Sequence, residues 1–263
     1  MIKNFIKGLF AARRNSIVSR YYEFAHVFSS LSPDLITDLP PGENVLVFSP
    51  HCDDESIGCG GTLHKHHQKG HHLTAVFMTD GSKCDSNGDN ANDIVRIRKQ
   101  EAETAAQILG IDRLIFLGYP DRQLRTTQEV VRRVEEILDE VKPDTVYLPF
   151  FLDNHPDHMA TAAIVVNAVQ QKPVEHVFFY EIWTAMIHNR LVDISDVIDK
   201  KLEAIRVYRS QKDINNFAEI TQSLNRFRAL GSNNQFRYAE ALFQANSKEQ
   251  ENILTQFHGG KIH

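Results

Sequence analysis

The chain is poor in the residues that staple, insert into lipid or attract polyanions. It holds three cysteines, Cys52, Cys59 and Cys84. An odd count without zinc-finger spacing excludes a fully paired disulfide framework and points to a reducing compartment, the cytoplasm. No stretch is apolar for long enough to span a bilayer. Positive charge is also short. With 29 Lys and Arg against 34 Asp and Glu, the formal net charge is -5, so no global basic field favours nucleic acid. Internal repeats and low-complexity tracts are missing as well. The remainder is ordinary for a globular protein: 42% hydrophobic and 24% charged residues, in a length that suits one sizeable α/β domain.

Pro40-Pro41-Gly42 sets off the first 42 residues. Within them Ile2, Phe5, Ile6, Leu9, Phe10 and Ile17 fall at helical spacing among Lys3, Lys7, Arg13, Arg14 and Arg20. A small-residue cleavage site and a continuous apolar stretch are both wanting, which argues against a signal peptide. The segment is expected to be a helix that packs on the main domain or on a partner subunit. Its basic face leaves weak peripheral contact with an anionic membrane as the alternative.

Residues 43–263 are expected to form a single catalytic α/β domain. Apolar runs at 44–50, 73–79, 114–117, 145–148 and 177–180 suit strands buried on both faces. Helical patterns at 61–69, 94–109, 130–141 and 156–169 lie between or after them, with Gly110 and Pro143 placed to end two of these. Strand and helix alternate, which predicts right-handed βαβ crossovers around a mostly parallel sheet with helices on both faces. Beyond Tyr180 the pattern turns mainly helical, at 196–208 and 214–230. These helices are expected to complete or cap the domain, and the region after Gln211 either shapes a pocket or pairs subunits into a homo-oligomer.

Two clusters stand out. His51-Cys52-Asp53-Asp54-Glu55 follows the first strand and Asn154-His155-Pro156-Asp157-His158 follows the fourth. Open α/β sheets bind ligands at the carboxyl ends of their strands, so this topology brings the two together. Imidazole and carboxylate are the ligands of catalytic zinc, which takes three protein donors and keeps a place for water. His51 and Asp54, three apart in a turn, can face one ion, and His158 can complete the set. Such an ion, Zn2+ or another divalent metal such as Fe2+, acidifies its water. Asp53 is then the candidate general base. His155 would stabilise the oxyanion or protonate the leaving amine, and Asp157 would orient His155 or a ligand imidazole. Other histidines, at 64, 66, 67, 71 and 72, are read as a helix end and the start of a surface strand.

Val45-Leu46-Val47-Phe48-Ser49-Pro50-His51-Cys52-Asp53-Asp54-Glu55, followed by Gly58-Cys59-Gly60-Gly61-Thr62, resembles the first signature of the LmbE/PIG-L family of zinc-dependent de-N-acetylases. Asp153-Asn154-His155-Pro156-Asp157-His158 resembles the second. Weaker matches fall at Thr79-Asp80-Gly81, Arg98 to Glu101, Leu109-Gly110, Pro120-Asp121 and Tyr208 to Gln211. The resemblance implies a Rossmann-like fold and hydrolysis of an acetamide on N-acetylglucosamine-type sugars. It also implies His51, Asp54 and His158 as zinc ligands, Asp53 as base and His155 facing the oxyanion or leaving group. One departure is Cys52, where the family usually has proline; a small buried side chain directed away from the ion is expected.

Some positions carry two readings. Arg98 would hold a substrate hydroxyl or phosphate, or else pair on a helix surface. Asp80 would bind sugar hydroxyls or cap the turn after it. The glycines at 58, 60 and 61 do not open directly after the strand as a dinucleotide fingerprint requires, so they are read as close packing. The expected function is therefore a cytoplasmic, metal-dependent N-deacetylase of an N-acetylated amino sugar. The alternatives are a non-haem Fe(II) enzyme with the same ligands, or a non-catalytic sugar-binding protein that keeps the site.

Overall fold

The computed structural model describes residues 39–83, 91–211, 214–232, 235–246 and 250. The expected N-terminal helix lies outside the described residues. From residue 44 onward the chain alternates as anticipated: β1 (Asn44–Ser49), α1 (Asp54–Gln68), β2 (His72–Thr79), α2 (Ala91–Leu109), β3 (Arg113–Tyr119), α3 (Gln128–Val141), β4 (Thr145–Pro149), α4 (Pro156–Gln171) and β5 (His176–Tyr180). Then come β6 (Arg190–Asp193), α5 (Ile198–Val207), α6 (Ile214–Arg228) and β7 (Ala239–Gln244).

The seven strands form one sheet in the order β3-β2-β1-β4-β5-β7-β6. β1 to β5 pair in parallel, and β7 joins β5 and β6 in antiparallel fashion. β1 and β4 are neighbours, and the chain reverses its direction of travel across the sheet between them. This is the switch point at which strand ends open a crevice. Helices α1, α2 and α5 pack together and α3 packs on α4, so both faces of the sheet are covered. That is why β1, β2, β4 and β5 read as unbroken apolar runs: Val45, Leu46, Phe48, Val76, Val146, Phe178 and Phe179 are all completely buried.

Helix α1 begins at Asp54, seven residues ahead of the expected start, and bends where Cys59 leaves helical geometry (φ -139°). The glycines that look hostile to a helix are demanded by packing. A Cβ on Gly58 would lie 2.1 Å from the Tyr180 ring. Past the bend, the Glu240 carboxylate of β7 accepts from Gly61 N (2.8 Å), Thr62 N (2.7 Å) and Thr62 Oγ1 (2.6 Å), and so caps the second half of the helix. Lys201 of α5 donates to the same carboxylate at 2.6 Å, both groups being fully buried. Strand β7 therefore holds α1 against the sheet.

Candidate active site

Both clusters sit at adjacent strand ends. The chain leaves β1 at Ser49 and turns through residues 50–53 into α1. It leaves β4 at Pro149 and enters α4 at Pro156, whose missing N–H costs nothing in the first turn. The first turn is strained. Asp53 has φ 128°, a region that a side chain disfavours by roughly 1–3 kcal/mol. Its neighbours hold it there. Glu55 Oε2 accepts from Asp53 N at 3.2 Å, and Glu55 is itself fixed by Ser49 Oγ (3.0 Å), Ser56 Oγ (2.7 Å) and Tyr208 OH (2.8 Å).

The geometry converges on Asp54. Its Oδ2 lies 3.1 Å from His51 Nδ1 and 3.2 Å from His158 Nε2. The rings of His51, His155 and His158 stand 4.7 to 5.4 Å apart, centre to centre. On the far side of His51, Nε2 lies 3.2 Å from Asp157 Oδ2 and 3.3 Å from Asp121 Oδ1. Behind His158, Asp153 Oδ1 approaches Nδ1 at 3.3 Å. His158 is fully buried, yet neither ring nitrogen makes a hydrogen bond of good direction. Buried polar atoms are rarely left so, and a site that takes up an ion is one standard reason. Two imidazoles and one carboxylate also form a donor set suited to a divalent ion such as zinc.

Charge follows the same arrangement. Burial opposes a charged His158 ring, but Asp54 and Asp153 more than reverse this and raise it to about 9. His51 is raised in the same way: burial opposes its charge, while Asp121, Asp157 and Asp54 favour it. Burial disfavours an ionised Asp54, yet His158 and His51 hold its carboxyl well below the usual range. Asp53 goes the other way. Burial pushes it up to about 7 despite the Arg98 guanidinium beside it. A carboxyl in that range suits proton transfer near neutrality. Asp53 Oδ2 accepts from Gln211 Nε2 at 2.7 Å, and Arg98 Nη2 is 3.6 Å from Oδ1.

The remaining expected positions are also placed. His155 caps α4: its Nδ1 accepts from Asp157 N at 3.2 Å, which leaves Nε2 to carry the proton. Burial lowers the His155 pKa, followed by the charges on His51 and His158. The Asp157 carboxylate faces His51, not His155, and is held by the N–H groups of Arg122 (2.6 Å) and Leu124 (3.3 Å). Arg98 is buried, so the surface-pairing alternative fails. Its Nη2 donates to Cys52 O at 2.6 Å and its Nη1 to Gly81 O at 3.3 Å. Asp80 Oδ1 accepts from Ser82 N (3.0 Å) and Asp121 N (3.1 Å), which is the capping arrangement. Cys52 is buried in the core.

Four groups had no role in the sequence reading. Asp121 and Asp153 stood in quoted motifs, as did Gln211, but nothing local says that they reach His51, His158 and Asp53. The buried Glu181–Arg228 pair carried no signal, its members being 47 residues apart.

A family model described as GlcNAc-PI de-N-acetylase, PIG-L, matches residues 46–169. A probable N-acetyl-alpha-D-glucosaminyl L-malate deacetylase 2 of Bacillus cereus is 32% identical over 192 residues, covering 65% of this chain and 84% of the relative. The diacetylchitobiose deacetylase of Thermococcus kodakarensis is 28% identical over 220 residues, 74% of this chain and 81% of the relative. Among solved structures, the N,N'-diacetylchitobiose deacetylase of Pyrococcus horikoshii superposes with a TM-score of 0.73 at 27% identity, over 87% of this chain and 93% of that one.

Proposed function

This chain belongs to the PIG-L (LmbE) family, and on that premise we propose that it is a zinc-dependent hydrolase that removes the acetyl group from an N-acetylated amino sugar. The substrate class is an N-acetylglucosamine-type glycoconjugate or glycan precursor, in keeping with the deacetylases it is similar to. One observation carries the reading: Asp54 Oδ2 lies between His51 Nδ1 and His158 Nε2, at 3.1 and 3.2 Å, directly beside a buried Asp53 raised to about 7.

His51, Asp54 and His158 would hold the ion. Bound there, it would supply Lewis-acid polarisation of the acetamide carbonyl and a water made nucleophilic at neutral pH. Asp121 and Asp157 orient the His51 ring from its far side, and Asp153 orients His158. Asp53 takes the proton of the attacking water. The Gln211 amide fixes one of its oxygens, and the other lies 3.6 Å from Arg98 Nη2. His155, with its proton on Nε2, donates to the developing oxyanion or to the departing nitrogen. As the C–N bond breaks, the nitrogen gains a proton, and acetate and the free amine are the products.

Among the described residues no helix is long and apolar enough to cross a membrane. Cys52 and Cys59 are free and buried, which supports a reducing compartment such as the cytoplasm. The function is tested by assaying acetate and free-amine release from a panel of N-acetylhexosamine derivatives, with and without chelator. Release that stops with chelator and returns with Zn2+ is expected. Metal-loaded protein with no turnover on any of them would count against the reading, and restoration by Fe2+ alone would reassign the ion.

A further inference from the structure

Helix α6 packs one face on α5 and β7. Ala218, Thr221, Asn225 and Arg228 are buried there, spaced by three and four positions. A face turned to solvent is expected to be polar, and the outward face of α6 is not. Ile220 is 58% exposed, Phe227 60%, and Leu230, just past the helix end, 62%. They are three of the five exposed large hydrophobic side chains among the described residues. Half-buried Phe217 and Leu224 border them, and the Phe217 ring meets the exposed Trp183 edge-on at 5.0 Å. Single apolar residues on a surface need no explanation, but a row of them marks an interaction surface. Phe217, Ile220, Leu224 and Phe227 alternate by three and four positions, which is the spacing of a seam between two helices.

Two charges flank the row. Glu219 and Arg226 are both exposed and lie seven positions apart, so they stand on the same side of it, two turns from one another. Arg226 Nη1 donates to Arg237 O at 2.8 Å, and neither residue is in an ion pair among the described residues. Ser223, also exposed, falls midway between them.

We propose that this face of α6 is the contact surface of a homodimer, in which α6 lies antiparallel against α6 of a second copy about a two-fold axis near Ser223. The pattern complements itself in that arrangement. A two-fold axis there keeps the charged flanks on one side and reverses their order, so Glu219 meets Arg226 of the second copy at both ends of the seam. Ile220 meets Phe227 of the second copy in the same way, each contact being made twice. A parallel pairing would instead set Glu219 against Glu219 and Arg226 against Arg226, which is repulsive. Docking on an anionic lipid surface would bury the apolar row but press Glu219 against like charge. The contact does not depend on the catalytic reading.

The test is sedimentation velocity of the full chain over a range of about 1–100 µM, and a dimer with Kd of about 1–10 µM is expected. Ile220→Glu and Phe227→Glu change exposed positions, so each should stay folded by circular dichroism while association weakens by about 100-fold or more. Glu219→Arg alone and Arg226→Glu alone should each weaken it by about tenfold, and the two together should restore it, because the swapped charges complement one another again. Restoration in the double variant would support the antiparallel seam. A wild type that stays monomeric at about 100 µM would overturn the proposal. So would an association that neither glutamate substitution weakens, or a double reversal that associates no better than the single ones.

Discussion

The two ends of helix α1 both carry buried histidine chemistry, and they have opposite characters. At the amino end, His158 meets Asp54 and Asp153 and is raised to about 9. At the carboxyl end, His66 is just as buried, but its Nε2 meets Tyr147 OH and its Nδ1 meets His71 Nδ1, each at 2.8 Å. Burial, followed by His71, pushes His66 down to about 3. The first end has carboxylates in excess, ring nitrogens without well-directed hydrogen bonds and a backbone strained at Asp53. The second is satisfied by its own partners. Between them, Glu240 and Lys201 form a buried pair in which the carboxylate accepts from four donors. Burial and charge alone therefore do not mark a site. A site is marked by convergent donors that the protein itself leaves incompletely used.

The largest effect should come from the amino end. Asp53→Asn is expected to reduce kcat by about 10³-fold or more while bound metal is retained, since general-base groups typically supply 10²–10⁴. Steady-state assays alongside elemental analysis check this, and near-normal turnover would remove Asp53 as the base. In the middle of the helix, Glu240→Ala leaves Lys201 buried without its counter-charge. A loss of about 3–5 kcal/mol in urea unfolding is expected; a loss below ~1 kcal/mol would show that the pair does not anchor α1.

At the carboxyl end the expected signature is a pH dependence. Unfolded His66 takes up a proton near its ordinary 6.5, whereas the folded residue resists until about 3. The unfolded state binds more protons in that window, so stability falls as pH drops from 6.5 toward 3. From pH 8 to pH 5 this residue alone should cost about 2 kcal/mol. His66→Phe should remove that part of the slope and leave metal content unaltered. An unchanged slope would mean that His66 titrates normally. The smallest effect is expected at Asp80, whose Oδ1 accepts two backbone N–H groups. Asp80→Ala should cost about 1–2 kcal/mol in thermal or urea unfolding, and a change in KM far larger than that loss implies would point to direct substrate contact instead.

The strands β1 to β5 were legible because each is buried on both faces and reads as an apolar run. β6 and β7 were not. β6 is four residues at the sheet edge, and β7 reads Ala239-Glu240-Ala241-Leu242-Phe243-Gln244, good helix formers with a charge in the middle. Tertiary contacts override that preference, because Glu240 is needed against α1 and Lys201. The early start of α1 was hidden by Gly58, Gly60 and Gly61, whose reason lies in Tyr180 and other distant side chains. At the site, His51, Asp53, Asp54, His155, Asp157 and His158 were readable because each sits in a short motif at a strand end. Asp121, Asp153 and Gln211 act on those residues across up to 158 positions, and no local pattern encodes such a contact.

The central claim is that His51, Asp54 and His158 together hold one divalent ion. Equilibrium dialysis against Zn2+ with elemental analysis tests it directly, on the wild type and on His51→Ala, His158→Ala and His66→Phe, each checked for folding by circular dichroism. The account predicts one tightly held ion per chain in the wild type and in His66→Phe, and loss of that ion in His51→Ala and His158→Ala. Full metal content in the two folded alanine variants would contradict it.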